Sequence, residues 1–324
     1  MLSGFLITYL LLVEYEDTGS IRICHFYTRR ALRIWPLYYL TLMLSIGLFP
    51  GIADLFPNLA AEAHIQGNVG LAKASWAAQL LLFIFLLPNL ALILFGPVAG
   101  ATQIWSIGSE EQFYLIWPLM VRMCSRNFAR TLLLVILTKV LILTLAFYVG
   151  NTFGISAFVT LGKFLLTLRI ELMAIGALGA FGLIHFRASM EGYLTSRSWQ
   201  MLAIVLTAAL MLWHSGVNYL LLGCVFAYIT ISVTLQGGIP LKSRVLDQLG
   251  AISYGIYMYH PLVIIVIFAT ADWVEITDPV LYNGYVYAGV LSVTTLISLL
   301  SFRYFEAVFQ RKKARFSTIV TRTQ

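Results

Sequence analysis

Apolar runs of roughly 17 to 20 residues recur along this chain, long enough at 1.5 Å per helical residue to cross a hydrocarbon core of about 30 Å. A chain built this way must satisfy its backbone polar groups internally, which leaves helices as the natural solution. The runs fall at about 1–13, 34–53, 77–95, 113–124, 131–149, 170–186, 199–213, 217–236, 254–270 and 284–301. The fold expected is all-α, a polytopic transmembrane helical bundle of about nine to ten membrane segments. No repeat, low-complexity tract or long linker divides the 324 residues. A single membrane domain over 1–310 with a basic cytoplasmic tail at 311–324 is therefore expected.

Composition agrees. Hydrophobic residues make up 60% and charged residues 11%, with mean hydropathy +0.87. Soluble domains run near 25% charged, so too few polar residues are present to coat a water-facing surface. The net charge of +7 is spread over short loops between apolar runs rather than gathered on one face. That pattern speaks for membrane topology and against nucleic acid as a partner. Cys24, Cys124 and Cys224 form neither a CxxC nor a Cys/His metal spacing, so neither a disulfide framework nor a bound metal is expected. The opening Met1-Leu2-Ser3-Gly4-Phe5 has no basic n-region, so no signal peptide is expected. Thirteen residues make only about 20 Å of helix. The first run is thus read either as re-entrant or as a span whose true N-terminus lies upstream.

Basic residues cluster in alternate loops: Arg22, Arg29, Arg30 and Arg33; Arg122, Arg126 and Arg130; Arg187 and Arg197; Lys242 and Arg244; and a tail from Arg303 through Arg311, Lys312, Lys313 and Arg315 to Arg322. The positive-inside rule puts these in the cytoplasm, and the acidic stretch with Asp272, Glu275 and Asp278 outside. The loops at 14–33 and 122–130 then share a side although three runs separate them. Pro88-Asn89 interrupts the run at 77–95, which is therefore expected to turn back as a hairpin or re-entrant element. Residues 96–112 would then lie outside or in a cavity opening there.

Ionisable groups at membrane depth are costly, so four clusters invite a chemical reading. In Phe26-Tyr27-Thr28-Arg29-Arg30-Ala31-Leu32-Arg33-Ile34-Trp35-Pro36, a helix would bring the arginines onto a shared face, suited to phosphates of a nucleotide-containing donor. A plain positive-inside anchor with interfacial Trp35 and Tyr38 explains the same residues. In Trp105-Ser106-Ile107-Gly108-Ser109-Glu110-Glu111-Gln112, the serines and acids read as a capping box opening a helix at the following run. Two carboxylates plus an amide exceed what a cap needs, so proton handling or hydroxyl orientation by Glu110, Glu111 and Gln112 is a second reading. In Ser253-Tyr254-Gly255-Ile256-Tyr257-Met258-Tyr259-His260-Pro261, His260 sits near the start of a run. It is either a base for a hydroxyl or a packed residue meeting carbonyls that Pro261 frees. Arg169 and Glu171 are two apart and cannot face each other on one helix, so each seeks a partner elsewhere. Lys139, central in its run, needs an acid such as Glu171, Glu110 or Glu111. A Walker A loop, GxGxxG, HExxH and GxSxG are all absent from the sequence, which weakens ATP-driven transport and metalloprotease chemistry.

Taken in order, these blocks resemble the acyltransferase 3 family of bacterial membrane O-acyltransferases. Leu2-Ser3-Gly4-Phe5-Leu6-Ile7-Thr8 matches its LSGFLIT, and FYTRRALRIWPLYY its FYxRRxxRIxPxYY, with RxxR on Arg30 and Arg33. IWSIGSEEQFYLIWPL matches WSLxxEEQFYLxWP and includes Trp105; LRIELMAIGAL, closed by Gly176, ISYGIYMYHP and Arg303-Tyr304-Phe305-Glu306 are similar to three later blocks. The resemblance implies transfer of an acyl group, usually acetyl, from cytoplasmic acyl-CoA to a carbohydrate hydroxyl on or near the outer side. Acyl-CoA would be a co-substrate, with no permanently bound cofactor. Arg29, Arg30 and Arg33 would hold donor phosphates; Glu110, Glu111 and Gln112 would shape the acceptor or relay protons; His260 would orient groups in the core. The family also carries an upstream helix with an Arg and a His, the latter its favoured base, and nothing precedes Met1 here. That role is not transferred to His260. The expected setting is the bacterial inner membrane, multi-pass with a cytoplasmic C-terminus, with a surface or lipid-linked carbohydrate as acceptor and a separate periplasmic partner left open. Two other readings remain: a truncated, non-enzymatic relative that binds carbohydrate lipid or a partner, and a transporter lined by Lys139, Glu171 and Glu110.

Overall fold

The computed structural model describes residues 1–66, 68, 75–124, 127–212, 218–235 and 243–316. Arg126, Lys242 and Arg322, three of the topology-setting cations, lie outside the described residues. In chain order the helices are α1 (Leu2–Thr18), α2 (Ile23–Met43), α3 (Phe49–Leu55), α4 (Pro57–Gln66), α5 (Trp76–Ile84), α6 (Pro88–Phe95), α7 (Ile104–Cys124), α8 (Phe128–Phe153), α9 (Ser156–Thr167), α10 (Ile170–His185), α11 (Arg187–Leu194), α12 (Arg197–Leu212), α13 (Asn218–Thr234), α14 (Arg244–Trp273), α15 (Pro279–Ser301) and α16 (Ala307–Lys313). Among the described residues no strand forms, only an isolated bridge between Asn68 and Val98. The all-α polytopic expectation is met. Among the described residues five segments are long and apolar enough to cross a membrane: Ile23–Asp54, Phe128–Phe153, Ser156–His185, Arg244–Trp273 and Pro279–Lys313; α12 and α13 are shorter apolar helices.

The chain divides into two compact units. The first holds α1, the part of α7 from Phe113 onward, and α8 to α13. Its centre is the packing of α1 on α10, which two glycines permit. A Cβ on Gly4 would collide with the Met173 carbonyl oxygen, and one on Gly176 with the Met1 carbonyl oxygen. Small residues let membrane helices approach to backbone contact where no hydrophobic force drives them together. Phe5, Ala180, Leu183, Leu194 and Ile231 fill the core beside this seam. The Trp117 indole donates to Thr8 Oγ1 at 2.8 Å, tying α7 to α1. α1 ends at Gly19 in the left-handed region (φ 69°), and the Glu14 carboxylate accepts from the Arg22 backbone N–H at 3.0 Å in the turn that follows. The basic loop read over 14–33 is therefore only the short turn before α2. The cause is that α2 begins at Ile23, eleven residues before the expected run, with its polar residues on a helical surface.

The second unit holds α2 to α6, α7 up to Gln112, and α14 to α16. Phe49, Ala53, Leu59, Ala63, Ala99, Ile265 and Ala269 form a core where α3 and α4 meet α14. The expected interruption of the 77–95 run is present: α5 stops at Ile84, Leu86 takes φ 59°, and α6 starts at Pro88 and packs back on α5. Carbonyls orphaned at such a break must find donors. Tyr38 donates to Phe83 O and Tyr39 to Ile84 O, both at 2.8 Å, and Gln112 Nε2 donates to Leu86 O at 3.3 Å. Asn89 and Gln112 exchange two amide hydrogen bonds at 3.1 and 2.9 Å. A Cβ on Gly108 would press on Pro88, so glycine lets α7 lie against the break.

Three expectations change. Residues 104–112 are not a loop but the opening turns of α7, whose first turn contains no acid. Ser106 and Ser109 are consequently not caps; their hydroxyls donate back to Gln103 O and Trp105 O, both at 3.2 Å, and Glu110 and Glu111 sit inside the helix. His260 lies mid-helix, because α14 starts at Arg244, before the apolar run. The connection read over 150–169 contains α9, an amphipathic helix continuing the apolar character of α10.

Candidate active site

The second unit holds most of the expected site residues, and within it Trp35, Arg30, Glu110 and Tyr254 lie within hydrogen-bonding or electrostatic reach of Glu111. Here α2 supplies Arg29, Arg30, Arg33 and Trp35, α7 supplies Trp105, Ser106, Glu110 and Glu111, and α14 supplies Tyr254, Tyr257 and His260. Glu111 Oε2 accepts from the Trp35 indole at 2.8 Å, while Oε1 is buried and has no hydrogen-bond partner among the described residues. Tyr254 donates to Ile34 O at 2.9 Å, so α14 and α7 are both tied to the same turn of α2. One oxygen of the carboxylate is thus fixed by an indole and the other is buried with its acceptor capacity unspent.

The three arginines do different work. Arg29 Nη1 donates to the Phe316 carbonyl at 2.7 Å, and His25 meets the Phe316 ring edge-on, so Arg29 anchors the segment after α16. The Arg30 guanidinium lies 5.8 Å from the Phe26 ring centroid and within electrostatic reach of Glu111. Arg33, one turn on, is exposed. The charge of all three reaches Lys313, making this end of the unit strongly cationic. Guanidinium forks on one helix face suit bidentate grip of phosphate oxygens.

Around the acids runs a hydroxyl and amide network. Ser106 Oγ and Tyr257 Oη are 2.5 Å apart, and Tyr257 donates to Gln103 O at 2.9 Å. Gln103 Nε2 reaches Met258 O at 2.7 Å. His260 Nδ1 lies 2.8 Å from Tyr257 O, the carbonyl whose usual helical donor is removed by Pro261. An Nδ1–H there satisfies the orphan and leaves Nε2 as the ring's acceptor. The packing reading of His260 accounts for this contact, and the same contact fixes the tautomer a base would need. Glu110 is half-buried within the field of Tyr254 and Tyr257.

Gln112 is brought to the α5–α6 break rather than to an open site, which explains it structurally. In the first unit, Lys139 pairs with Glu171, as its central position in α8 requires. Arg169 adopts φ 48° at the start of α10 and stacks on Tyr219 at 4.7 Å. These three make their contacts within the first unit. Sequence reasoning missed Gln103, which nothing in its local pattern marks. It also passed over Glu306, 5% exposed in a π-helical turn at 302–306 and within the field of Arg33, although the RYFE block contained it. Among the described residues no cluster of His, Cys, Asp and Glu could hold a metal.

The family model described as an acyltransferase domain matches residues 1–303. This chain belongs to the acyltransferase 3 family. It is similar to O-acetyltransferase OatA of Staphylococcus aureus, 24% identical over 96% of this chain and 51% of the relative. Peptidoglycan O-acetyltransferase OatA of Listeria monocytogenes is 29% identical over 36% of this chain and 18% of the relative. The chain therefore spans at most about half the length of these relatives. No solved structure matches.

Proposed function

We propose that this chain is a membrane O-acyltransferase that moves an acyl group, acetyl in our reading, from cytoplasmic acyl-CoA to a hydroxyl of a surface or lipid-linked carbohydrate. Family membership over residues 1–303 supports acyl transfer, and the relatives' names support an O-linked product. The observation that carries the site assignment is the cationic face of α2 beside a carboxylate whose buried Oε1 is unpaired.

In this reading Arg30 and Arg33 grip the donor's phosphates at the cytoplasmic end, and Arg29 keeps the C-terminal segment in place. The acceptor hydroxyl donates to Glu111 Oε1. Its oxygen attacks the thioester carbonyl, a C–O bond forms, the C–S bond breaks, and the hydroxyl proton ends on the departing thiolate. Glu111 orients the hydroxyl and stabilises the proton as it leaves; Trp35 fixes the carboxylate, and the Ser106–Tyr257–Gln103 network holds α14 against α7.

Glu111→Gln in the full-length protein tests this. The amide can still accept from Trp35 but carries no charge. We expect kcat to fall by about 100-fold or more with membrane insertion and donor KM unchanged. Full activity would remove Glu111 from the site.

A further inference from the structure

The end of α15 carries a second cationic feature that the acyl-transfer reading does not use. A groove of about 570 Å³ opens between the first turns of α14 and the end of α15 with the π-helical turn after it. Gln248, Ala251, Ile252, Leu300, Arg303 and Arg311 line it. Its volume falls within the range of sites that hold small molecules, about 300–1,000 Å³.

The lining is two-part. Ala251, Ile252 and Leu300 make an apolar wall on helices that the composition assigns to the membrane. Arg303 and Arg311 are eight residues apart, a spacing that returns to the same stripe of a helix, and both are exposed. Among the described residues neither guanidinium has a carboxylate within 4.0 Å; Arg303 instead lies 5.7 Å from the Tyr304 ring centroid. The backbone here is helical and has few N–H groups to offer, so an anion would be read by the two guanidinium forks and the Gln248 amide.

A soluble anion would use the arginines and leave the apolar wall uncovered. An amphiphile with an anionic head covers both. We propose that this groove binds the headgroup and glycerol region of an anionic phospholipid, its phosphate on Arg303 and Arg311 and its acyl chains running down the wall into the bilayer. The site is independent of acyl transfer and would stand if that reading failed.

The test uses the purified full-length protein in a neutral detergent, followed by thermal melting with phosphatidylglycerol or phosphatidylcholine of identical chains. Phosphatidylglycerol should raise Tm several degrees more than phosphatidylcholine. Arg303→Ala with Arg311→Ala should abolish the difference, and Arg303→Lys with Arg311→Lys should retain most of it. Ala251→Trp, which fills the groove without altering charge, should abolish it too, and serves if the alanine pair does not fold. Equal stabilisation by the two lipids, or a difference that survives in the alanine pair and in Ala251→Trp, would overturn the proposal. So would an equal rise with inorganic phosphate or acetyl-CoA.

Discussion

Single side chains in this molecule are placed by the need to satisfy polar groups where water is scarce. His260 shows it best. Pro261 removes the N–H that would serve Tyr257 O, and the imidazole takes its place. His260→Ala should then destabilise the protein by up to about 1 kcal/mol, the net worth of a hydrogen bond at a part-exposed carbonyl. In a Pro261→Ala background, where the new amide can serve that carbonyl, most of the loss should disappear. Thermal melting of the four proteins of this cycle measures the coupling; equal losses in both backgrounds would contradict the account. Activity separates the chemical from the packing role, because a base at Nε2 would stay lost in the double variant. That Lys139 needs an acid was legible from the sequence, since a cation central in an apolar run must be paired; the choice of Glu171 over Glu110 or Glu111 comes from the structure. The fixed and unpaired oxygens of Glu111 were not legible, because they depend on Trp35 arriving from 76 residues away.

At the scale of elements, lengths of apolar runs located the helices but not their ends. α2, α7 and α14 all begin before their apolar runs, with polar residues carried on helical surfaces. A hydropathy pattern marks where a helix is greasy, so the capping reading of Ser106 and Ser109 failed along with the boundary. Pro88 did reveal the break between α5 and α6, since a proline acts locally; the tyrosines and glutamine that seal it come from other blocks. The docking of α4 on α14 carries a pH signature. Burial, the negative charge of Asp272 and a hydrogen bond with it together push the Glu62 carboxyl above its ordinary value. The folded state thus holds this proton more tightly than the unfolded chain. The resulting stability is fully present below the ordinary carboxyl range and is lost as pH rises through the raised value. Melting in detergent from pH 4 to pH 8 should show Tm falling across that window. Glu62→Gln should flatten the fall; an unchanged profile in that variant would contradict the assignment.

For the molecule as a whole, membership of the acyltransferase 3 family and an all-α membrane architecture rest on sequence blocks spread from end to end, which is why both were readable early. Long-range arrangement divides those blocks by purpose. The Gly4 and Gly176 blocks make a helix seam, the tyrosines at 38 and 39 and Gln112 seal a broken helix pair, and our proposal gives Arg30, Arg33 and Glu111 to acyl transfer. The central claim is that the cationic face of α2 grips the acyl donor. Acetyl transfer from labelled acetyl-CoA, assayed with the full-length protein in inverted membrane vesicles, tests it most directly. Arg30→Ala with Arg33→Ala should raise the donor KM about tenfold or more, the loss of one to two charge-assisted hydrogen bonds, and leave acceptor KM unchanged. Donor KM equal to that of the unaltered protein would contradict it.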